Sequence, residues 1–202
     1  MKVSEKKDIS AKEIKTAVKL PEEDEEVFTL SGLIFDWSNA FMIALIIIVM
    51  LLTFVFRQVT VNGDSMNDTL QSGDKLILYS FMYKPQNGDI VVISHGKDYS
   101  DPIIKRVIAV EGQSLKINYD TGEVTLDGVV LKEDYIKGLT KRVHPSLEIP
   151  DVIPEGYVFV MGDNRENSLD SRSTQIGLIP VENIIGKAEL RILPASSFGS
   201  VY

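Results

Sequence analysis

A run of seventeen residues without a charged side chain, residues 40–56 (AFMIALIIIVMLLTFVF), most constrains how this chain can fold. As a helix with a rise of about 1.5 Å per residue, it is roughly 25 Å long, close to the hydrocarbon thickness of a bilayer. In a soluble domain such a helix would need burial on every face, which a chain of 202 residues rarely provides. We therefore predict a membrane-spanning helix over residues 37–56, with Trp37 and Arg57 near its interfaces.

The residues around this run favour a retained anchor over a removable leader. Residues 1–36 begin lysine-rich and then carry the acidic block 22–26, which is typical of a polar tail and not of a signal peptide. No small-x-small cleavage site follows Phe56. Lysine and arginine are absent from residues 20–39 while Arg57 follows the run, so the positive-inside rule leaves the orientation open.

Composition excludes several classes of function. The net charge is −8 and no cluster of five or more basic residues occurs, so nucleic acid is not a predicted partner. Cysteine is absent, which excludes a thiol nucleophile, a disulfide framework and thiolate metal sites. The two histidines, His95 and His144, do not have a metal-binding spacing, and we predict no metal and no other cofactor.

From Arg57 onward the sequence pattern is typical of short β-strands. Runs rich in apolar residues and bounded by turn residues lie at 75–79, 89–93, 102–110, 114–118, 123–126, 129–131, 157–161 and 188–193. Asp120-Thr121-Gly122 and Asp127-Gly128 join three of these runs as hairpins. We predict a mainly antiparallel β domain over residues 57–202, which contains a small β insertion over about 113–150.

Residues 63–70 (GDSMNDTL) place a serine in a turn. Gly63 permits a tight or positive-φ backbone there, which presents the Ser65 hydroxyl. A serine hydroxyl is a poor nucleophile until a base removes its proton. The tripeptide alone is more typical of an ordinary turn. A nucleophile requires a base elsewhere in the chain.

Three side chains are candidates for that base: His95, His144 and Lys105. The histidines lie in turn-like sequence, whereas Lys105 is embedded in the apolar run 102–110. Burial disfavours the ammonium form and can bring the pKa of a lysine from about 10.4 toward about 7–8. Strand alternation puts Lys105 and Arg106 on opposite faces, so at most one of them enters the site. A salt-bridged or exposed strand lysine remains the alternative.

Residues 161–172 (MGDNRENSLDSR) form the third polar motif. Its carboxylates, Asp163 and Asp170, suggest a calcium loop. Such a loop needs an oxygen ligand at its third position and a glycine at its sixth, where this chain has Arg165 and Ser168. The calcium interpretation therefore fails.

Together, the motifs at 63–70, 104–107 and 161–172 resemble those of the bacterial type I signal peptidases, membrane-anchored serine peptidases that use a lysine as general base. The resemblance extends from about residue 40 to near the C-terminus. It implies that Ser65 is the nucleophile, that Lys105 is the base, and that the enzyme removes signal peptides from exported preproteins. It also implies small residues at the first and third positions before the cut.

The same resemblance places the N-terminal tail in the cytoplasm, makes the lipid bilayer a partner, and puts the catalytic domain on the extracytoplasmic side of the cell membrane. Ser168 is expected to hydrogen-bond the Lys105 amine and orient it, and Asp170 and Arg172 to form an ion pair that fixes the loop. The remaining residues implied at the site are Gly63, Asp163 and Asn164 as supporting residues, and Met66 and Ile104 as substrate contacts.

Two positions depart from the family pattern. Asp68 stands where the family usually has proline, which loosens the turn and adds a carboxylate that would hold Lys105 protonated. Gly63 stands where some members have a hydroxyl that helps to bind the oxyanion. Because of Asp68, a catalytically silent membrane protein that assists assembly of secreted or surface proteins is an alternative. Self-cleaving repressor-type peptidases share the serine and lysine but need no membrane span.

Overall fold

The computed structural model describes residues 30–94 and 101–202, so the predicted tail up to residue 29 and His95 lie outside the described residues. Within these ranges the chain forms helix α1 (Leu30–Val55) and eleven strands. The strands are β1 (Phe56–Thr60), β2 (Lys75–Tyr79), β3 (Ile90–Ile93), β4 (Ile103–Ala109), β5 (Leu115–Ile117), β6 (Val124–Leu126), β7 (Val129–Val130), β8 (Tyr157–Met161), β9 (Ile179–Pro180), β10 (Ile184–Leu193) and β11 (Gly199–Ser200).

Helix α1 is apolar over most of its length. Its segment Gly32–Thr53 has a mean hydropathy of 2.1 and exposed side chains, and it is long and apolar enough to cross a membrane. The hydroxyls of Ser38 and Thr53 donate to carbonyls of the preceding turn at 2.8 and 2.7 Å, so neither needs a partner outside the helix. The helix begins seven residues before the predicted start, because the apolar sequence continues through residues 33–35.

Eight strands form one antiparallel sheet in the order β1-β2-β10-β3-β4-β8-β9, with β11 paired to β10. The prediction of a mainly antiparallel β domain is therefore confirmed. Strand β10 begins four residues before its predicted run, where it pairs with β3. The two-residue strands β9 and β11 are too short to give a hydrophobic run of their own.

The predicted insertion contains a separate sheet of three strands in the order β5-β6-β7. Asp127 and Gly128, with φ of +50° and +83°, form the two-residue turn between β6 and β7, as a tight hairpin requires. Leu115 and Val124 pack in one apolar cluster with Phe159 of β8. The apolar face of the insertion is thus part of the core of the β domain.

Strand β4 runs between β3 and β8, and six of its seven residues are buried. Ile104 packs in one apolar cluster with Met66, and Val107 packs in another. Because both faces of the strand are covered, Lys105 and Arg106 are both in the interior, with 4% and 5% of their surface exposed. The core must therefore accommodate two neighbouring cations.

Candidate active site

The turn that carries Ser65, residues 63–70, is held by its own backbone and by the core. Gly63 has φ of +94°, the left-handed conformation expected from the sequence. The Leu70 N–H donates to the Met66 carbonyl at 2.8 Å, and both side chains are buried. Ser65 itself is only half-buried. The turn is therefore fixed while its hydroxyl stays open to a substrate.

Lys105 reaches this hydroxyl from strand β4. Its Nζ donates to Ser65 Oγ at 2.7 Å and to the Ile104 carbonyl at 3.1 Å. Among the described residues, no carboxylate pairs with it. The structure thus brings together the two residues that the sequence predicts as nucleophile and base, 40 positions apart.

Burial lowers the pKa of Lys105 from 10.5 to about 8, because the ammonium form loses its hydration. The charges of Asp170 and Asp163 raise this pKa, and the charge of Arg172 lowers it. With a pKa of about 8, roughly a tenth of the lysine is neutral at pH 7, against about 0.04% of a free lysine. A neutral amine at hydrogen-bond distance from a hydroxyl can remove its proton.

The loop of residues 162–172, called here the 162–172 loop, packs over the turn. Asn164 donates to it twice, from its N–H to the Ser65 carbonyl at 3.0 Å and from Nδ2 to the Asp64 carbonyl at 3.1 Å. A β-carbon at Gly162 would overlap the Ser65 carbonyl oxygen and Ser168 Oγ. Only glycine fits at this close approach.

Buried ion pairs fix the loop. Asp170 accepts hydrogen bonds from Arg172 Nε and Nη2 at 2.8 and 2.9 Å, which is the pair implied by the sequence motif. Asp163 accepts from Arg106 Nε and Nη2 at 2.8 and 2.6 Å and from Thr69 Oγ1 at 2.6 Å. Because Thr69 belongs to the turn and Arg106 to β4, Asp163 joins three segments at one carboxylate.

The predicted hydrogen bond between Ser168 and Lys105 is absent. Ser168 Oγ is buried and has no hydrogen-bond partner among the described residues. It lies against Gly162, while Lys105 Nζ is engaged by Ser65 Oγ and the Ile104 carbonyl. In this arrangement Ser65 and the Ile104 carbonyl orient the amine, and Ser168 contributes packing.

The two predicted substrate contacts differ in exposure. Met66 is 1% exposed and lies in the core, so its side chain supports the turn and the predicted substrate contact is not supported. Ile104 is 9% exposed, and substrate contact stays a prediction for it.

Asp68 differs from its expected role. Its carboxylate is exposed and pairs with Lys137 Nζ at 3.1 Å, and it is not among the charges that act on Lys105. The expectation that Asp68 holds Lys105 protonated is therefore wrong, because the side chain points to Lys137 and to water. The alternative of a silent relative, which depended on Asp68, loses its support.

Of the two histidines considered as alternative bases, His95 lies outside the described residues. His144 is exposed and precedes Pro145, whereas Ser65 is engaged by Lys105. Within residues 30–94 and 101–202, no group of three or more acidic or histidine side chains could hold a metal ion.

Sequence reasoning missed the partners of Arg106. An arginine inside an apolar strand needs a buried carboxylate partner, so Arg106 itself was the signal that could have led to Asp163. Glu133 and Tyr135, which also reach this region, come from the insertion and belong to no motif. Their sequence gave no indication of a role.

An antiparallel β domain that joins a half-buried serine to a buried lysine without a carboxylate partner has the elements of a hydrolase active site. The family described as signal peptidase, peptidase S26, matches residues 34–193. A probable signal peptidase I-1 of Synechocystis sp. is 40% identical over 170 residues, covering 79% of this chain and 83% of the relative.

Further relatives carry similar names. A signal peptidase I P of Bacillus subtilis subsp. natto is 35% identical over 170 residues, covering 80% of this chain and 90% of the relative. A signal peptidase I of Mycobacterium tuberculosis is 33% identical over 215 residues, covering 79% of this chain and 72% of the relative. A crystal structure of a signal peptidase I from Enterococcus faecalis V583 is 28% identical, with a TM-score of 0.42, and covers 52% of this chain and 97% of its own.

The family match and the curated relatives agree. This chain belongs to the signal peptidase family, peptidase S26, and is a peptidase of the signal peptidase I type.

Proposed function

We propose that this chain removes signal peptides from exported preproteins, with Ser65 as the nucleophile and Lys105 as the general base. The observation that carries the proposal is the 2.7 Å contact between Lys105 Nζ and Ser65 Oγ. Burial of the amine supports it, because a lysine with a pKa of about 8 is partly neutral at physiological pH.

The reaction proceeds in two halves. Neutral Lys105 takes the Ser65 proton as Oγ attacks the carbonyl carbon of the scissile peptide, and the resulting ammonium gives that proton to the leaving amine. An acyl-enzyme remains on Ser65. Lys105 then takes a proton from a water that attacks the ester, and returns it to Ser65 Oγ as the signal peptide leaves. Each half restores the neutral amine.

The Ser65 N–H is our candidate for binding the oxyanion. It donates no hydrogen bond within the described part of the chain, whereas the Ser65 carbonyl is bound by Asn164. A backbone N–H on the attacking residue lies next to the carbon that becomes tetrahedral. Because residue 63 is glycine, no side-chain hydroxyl at that position can donate a second hydrogen bond to the oxyanion.

The proposal includes the membrane. Helix α1 serves as the anchor, the tail is cytoplasmic, and the β domain acts outside, on preproteins with small residues at the first and third positions before the cut. Eight residues separate Phe56 from Ser65 in the sequence, so the nucleophile stays within a short chain length of the helix end. A signal helix in the same bilayer would present its cleavage site at that level.

The direct test incubates the full chain in detergent with a preprotein that carries an Ala-x-Ala site, and identifies the products by mass spectrometry. We expect one cut after the second alanine, loss of that cut in Ser65→Ala and Lys105→Ala, and no cut when this alanine is replaced by phenylalanine. Cleavage that persists in Ser65→Ala would overturn the proposed nucleophile.

The orientation has its own test, which the absence of cysteine makes clean. Val129→Cys, at an exposed position of the small sheet, should react with a membrane-impermeant maleimide in intact cells. Lys12→Cys, in the tail, should react only after permeabilisation. The reverse pattern would contradict the proposed topology.

A further inference from the structure

Residues 132–141, called here the strap, cross the 162–172 loop and hydrogen-bond to its backbone. The Lys137 N–H donates to the Asp163 carbonyl at 2.8 Å, and the Arg165 N–H donates to the Lys137 carbonyl at 2.9 Å. These two bonds make a short parallel bridge between the strap and the loop. A segment of the insertion is thus attached to the loop that contacts Ser65.

Side chains strengthen this attachment. Arg165, which is 1% exposed, donates to Glu133 Oε1 and Oε2 at 2.6 and 3.1 Å, to Thr140 Oγ1 at 2.7 Å, and to the Gly162 carbonyl at 3.0 Å. Removal of Glu133 would leave the charge of Arg165 in the interior without compensation. The strap is therefore an integral part of the loop's packing.

Tyr135 extends the strap toward β4. Its hydroxyl donates to Glu133 Oε1 at 2.9 Å, which fixes the ring. The centre of that ring lies 4.0 Å from the Arg106 guanidinium carbon, a cation–π contact. Arg106 in turn donates two hydrogen bonds to Asp163. Tyr135 therefore covers one face of the guanidinium that neutralises Asp163.

We propose that Tyr135 is a positioning residue for catalysis, because its ring shields the Arg106–Asp163 pair from water and thereby limits how strongly Asp163 holds Lys105 in its protonated form. This inference rests on the proposed function of Lys105 as the base. It adds a residue that lies outside every motif of the sequence.

The charges around Lys105 make the argument specific. Its Nζ contacts Ser65 Oγ and the Ile104 carbonyl, and three charged groups act on it: Asp170, Asp163 and Arg172. Asp170 is neutralised by two hydrogen bonds from Arg172, with no exposed surface on either side chain.

The charge of Asp163 is neutralised by Arg106, and the Tyr135 ring covers one face of the Arg106 guanidinium. Without the ring, water reaches the guanidinium and weakens its hold on the carboxylate. The charge of Asp163 then acts more strongly on the amine, so the ammonium form is favoured and less of the base is available at a given pH.

The chain offers a matched control. Tyr119, in the insertion, makes a cation–π contact with Arg142, whose guanidinium carbon lies 4.5 Å from the ring centre. Arg142 is exposed and donates to Ser146, and it does not pair with a residue of the dyad or of the 162–172 loop. Tyr119 lies near the Arg172–Asp170 pair but makes no hydrogen bond or ring contact with Arg106 or Asp163 among the described residues. Tyr119→Ala therefore removes the same kind of contact and leaves the Arg106–Asp163 pair intact.

The experiment measures kcat and kcat/KM from pH 6 to 10 for the full chain in detergent, with a preprotein substrate. In Tyr135→Ala we expect the acid limb of kcat/KM to move up by about half a pH unit, with a rate at high pH within about threefold of the wild type. Tyr135→Phe, which keeps the ring, and Tyr119→Ala should both keep the wild-type limb. Thermal unfolding of each variant reports its folding.

A Tyr135→Ala profile that is lowered by one factor at every pH, or that is unchanged, overturns the proposal. If this variant does not fold, Tyr135→Leu fills the space without a π face, and the same upward shift is expected; an unshifted limb overturns the inference. Failure of the proposed function can be told apart from failure of this inference. If the dyad is assigned wrongly, Ser65→Ala or Lys105→Ala retains cleavage, independently of the result for the Tyr135 variants.

Discussion

The surroundings of Lys105 and of Arg106, neighbours on β4, are built differently. Around Lys105 there are a hydroxyl, a carbonyl and apolar side chains, and no carboxylate pairs with Nζ among the described residues. Around Arg106, Asp163 accepts two hydrogen bonds and the Gly88 carbonyl accepts a third at 2.8 Å. The two side chains are almost equally buried, so the difference lies in their partners.

That difference sets the chemistry of each cation. Burial lowers the pKa of Lys105 to about 8. Burial also opposes the charge of Arg106, but the hydrogen bond and charge of Asp163 outweigh it, so the pKa of Arg106 is raised. A buried cation becomes a base only where no carboxylate is paired with it, and it becomes a structural element where one is.

The largest effect is expected from removing the dyad. Ser65→Ala and Lys105→Ala should each lower kcat/KM by about a thousandfold or more, because neither residue acts without the other. For the same reason the double variant should be no worse than the worse single variant. Turnover with a preprotein, measured at matched protein concentration, checks this.

His144→Ala is the control for the alternative base and should retain the wild-type rate. A fall in this variant comparable to that of Lys105→Ala would restore the histidine alternative. So would near-normal turnover in Lys105→Ala.

The second prediction breaks a paired cation. Asp170→Ala leaves Arg172 buried with its charge uncompensated, since neither side chain is exposed. We expect a loss of about 3–5 kcal/mol in the free energy of unfolding. Denaturant unfolding measures it, and Asp134→Ala, from an exposed pair with Lys132, is the control and should change little. Equal effects in the two variants would mean that burial of the pair is irrelevant.

The third prediction concerns the unpaired cation. The folded-state pKa of Lys105, about 8, lies below its ordinary value of 10.5, so the unfolded chain binds more protons between these pH values. Burial of the ammonium therefore costs about 3 kcal/mol at pH 7. Lys105→Met should be more stable than the wild type by about that amount at pH 7, and the advantage should vanish as the pH rises from 8 to 10.5. An advantage that is constant with pH would reflect better packing alone.

The fourth prediction follows the same group in the reaction. Because only the neutral amine accepts the serine proton, kcat/KM should rise with pH through an apparent pKa near 8. Between pH 6 and 9 the rise should be about a hundredfold. Rates measured with one preprotein across this range check it. A flat profile, or one that rises only above pH 10, would contradict a buried lysine as the base.

The sequence could predict what local pattern and short motifs carry. Alternation and turn residues predicted the longer central strands of the main sheet but not the two-residue strands β9 and β11, and Lys105 was identified as a candidate by its apolar neighbours. The predicted ion pair of Asp170 with Arg172 has its partners two positions apart, within one motif. In each case the necessary information lay within about ten residues.

The remainder depends on contacts between distant segments. Thr69 and Arg106 meet at Asp163, which lies 94 and 57 positions further along the chain, and no local pattern specifies that meeting. The burial of Met66 and the absence of a hydrogen bond between Ser168 and Lys105 both depend on how the turn and the loop pack together. Asp68 and Lys137, 69 positions apart, form a pair for the same reason.

The smallest effect is expected from replacing Asp68. This prediction tests whether an exposed charge near Ser65 leaves both stability and the pKa of Lys105 unchanged. Its pair with Lys137 is exposed on both sides, with 77% and 53% of the two side chains accessible. We expect Asp68→Ala to change the free energy of unfolding by less than about 0.5 kcal/mol, and to leave kcat/KM within about twofold of the wild type. The acid limb should stay in place, because Asp68 is not among the charges that act on Lys105. Parallel pH–rate curves for the two proteins measure this. A limb that moves to lower pH in the variant would show that the Asp68 carboxylate acts on the Lys105 amine in the working enzyme. Asp68 would then belong with Asp163 and Asp170, the buried carboxylates that raise the pKa of Lys105, despite its exposure.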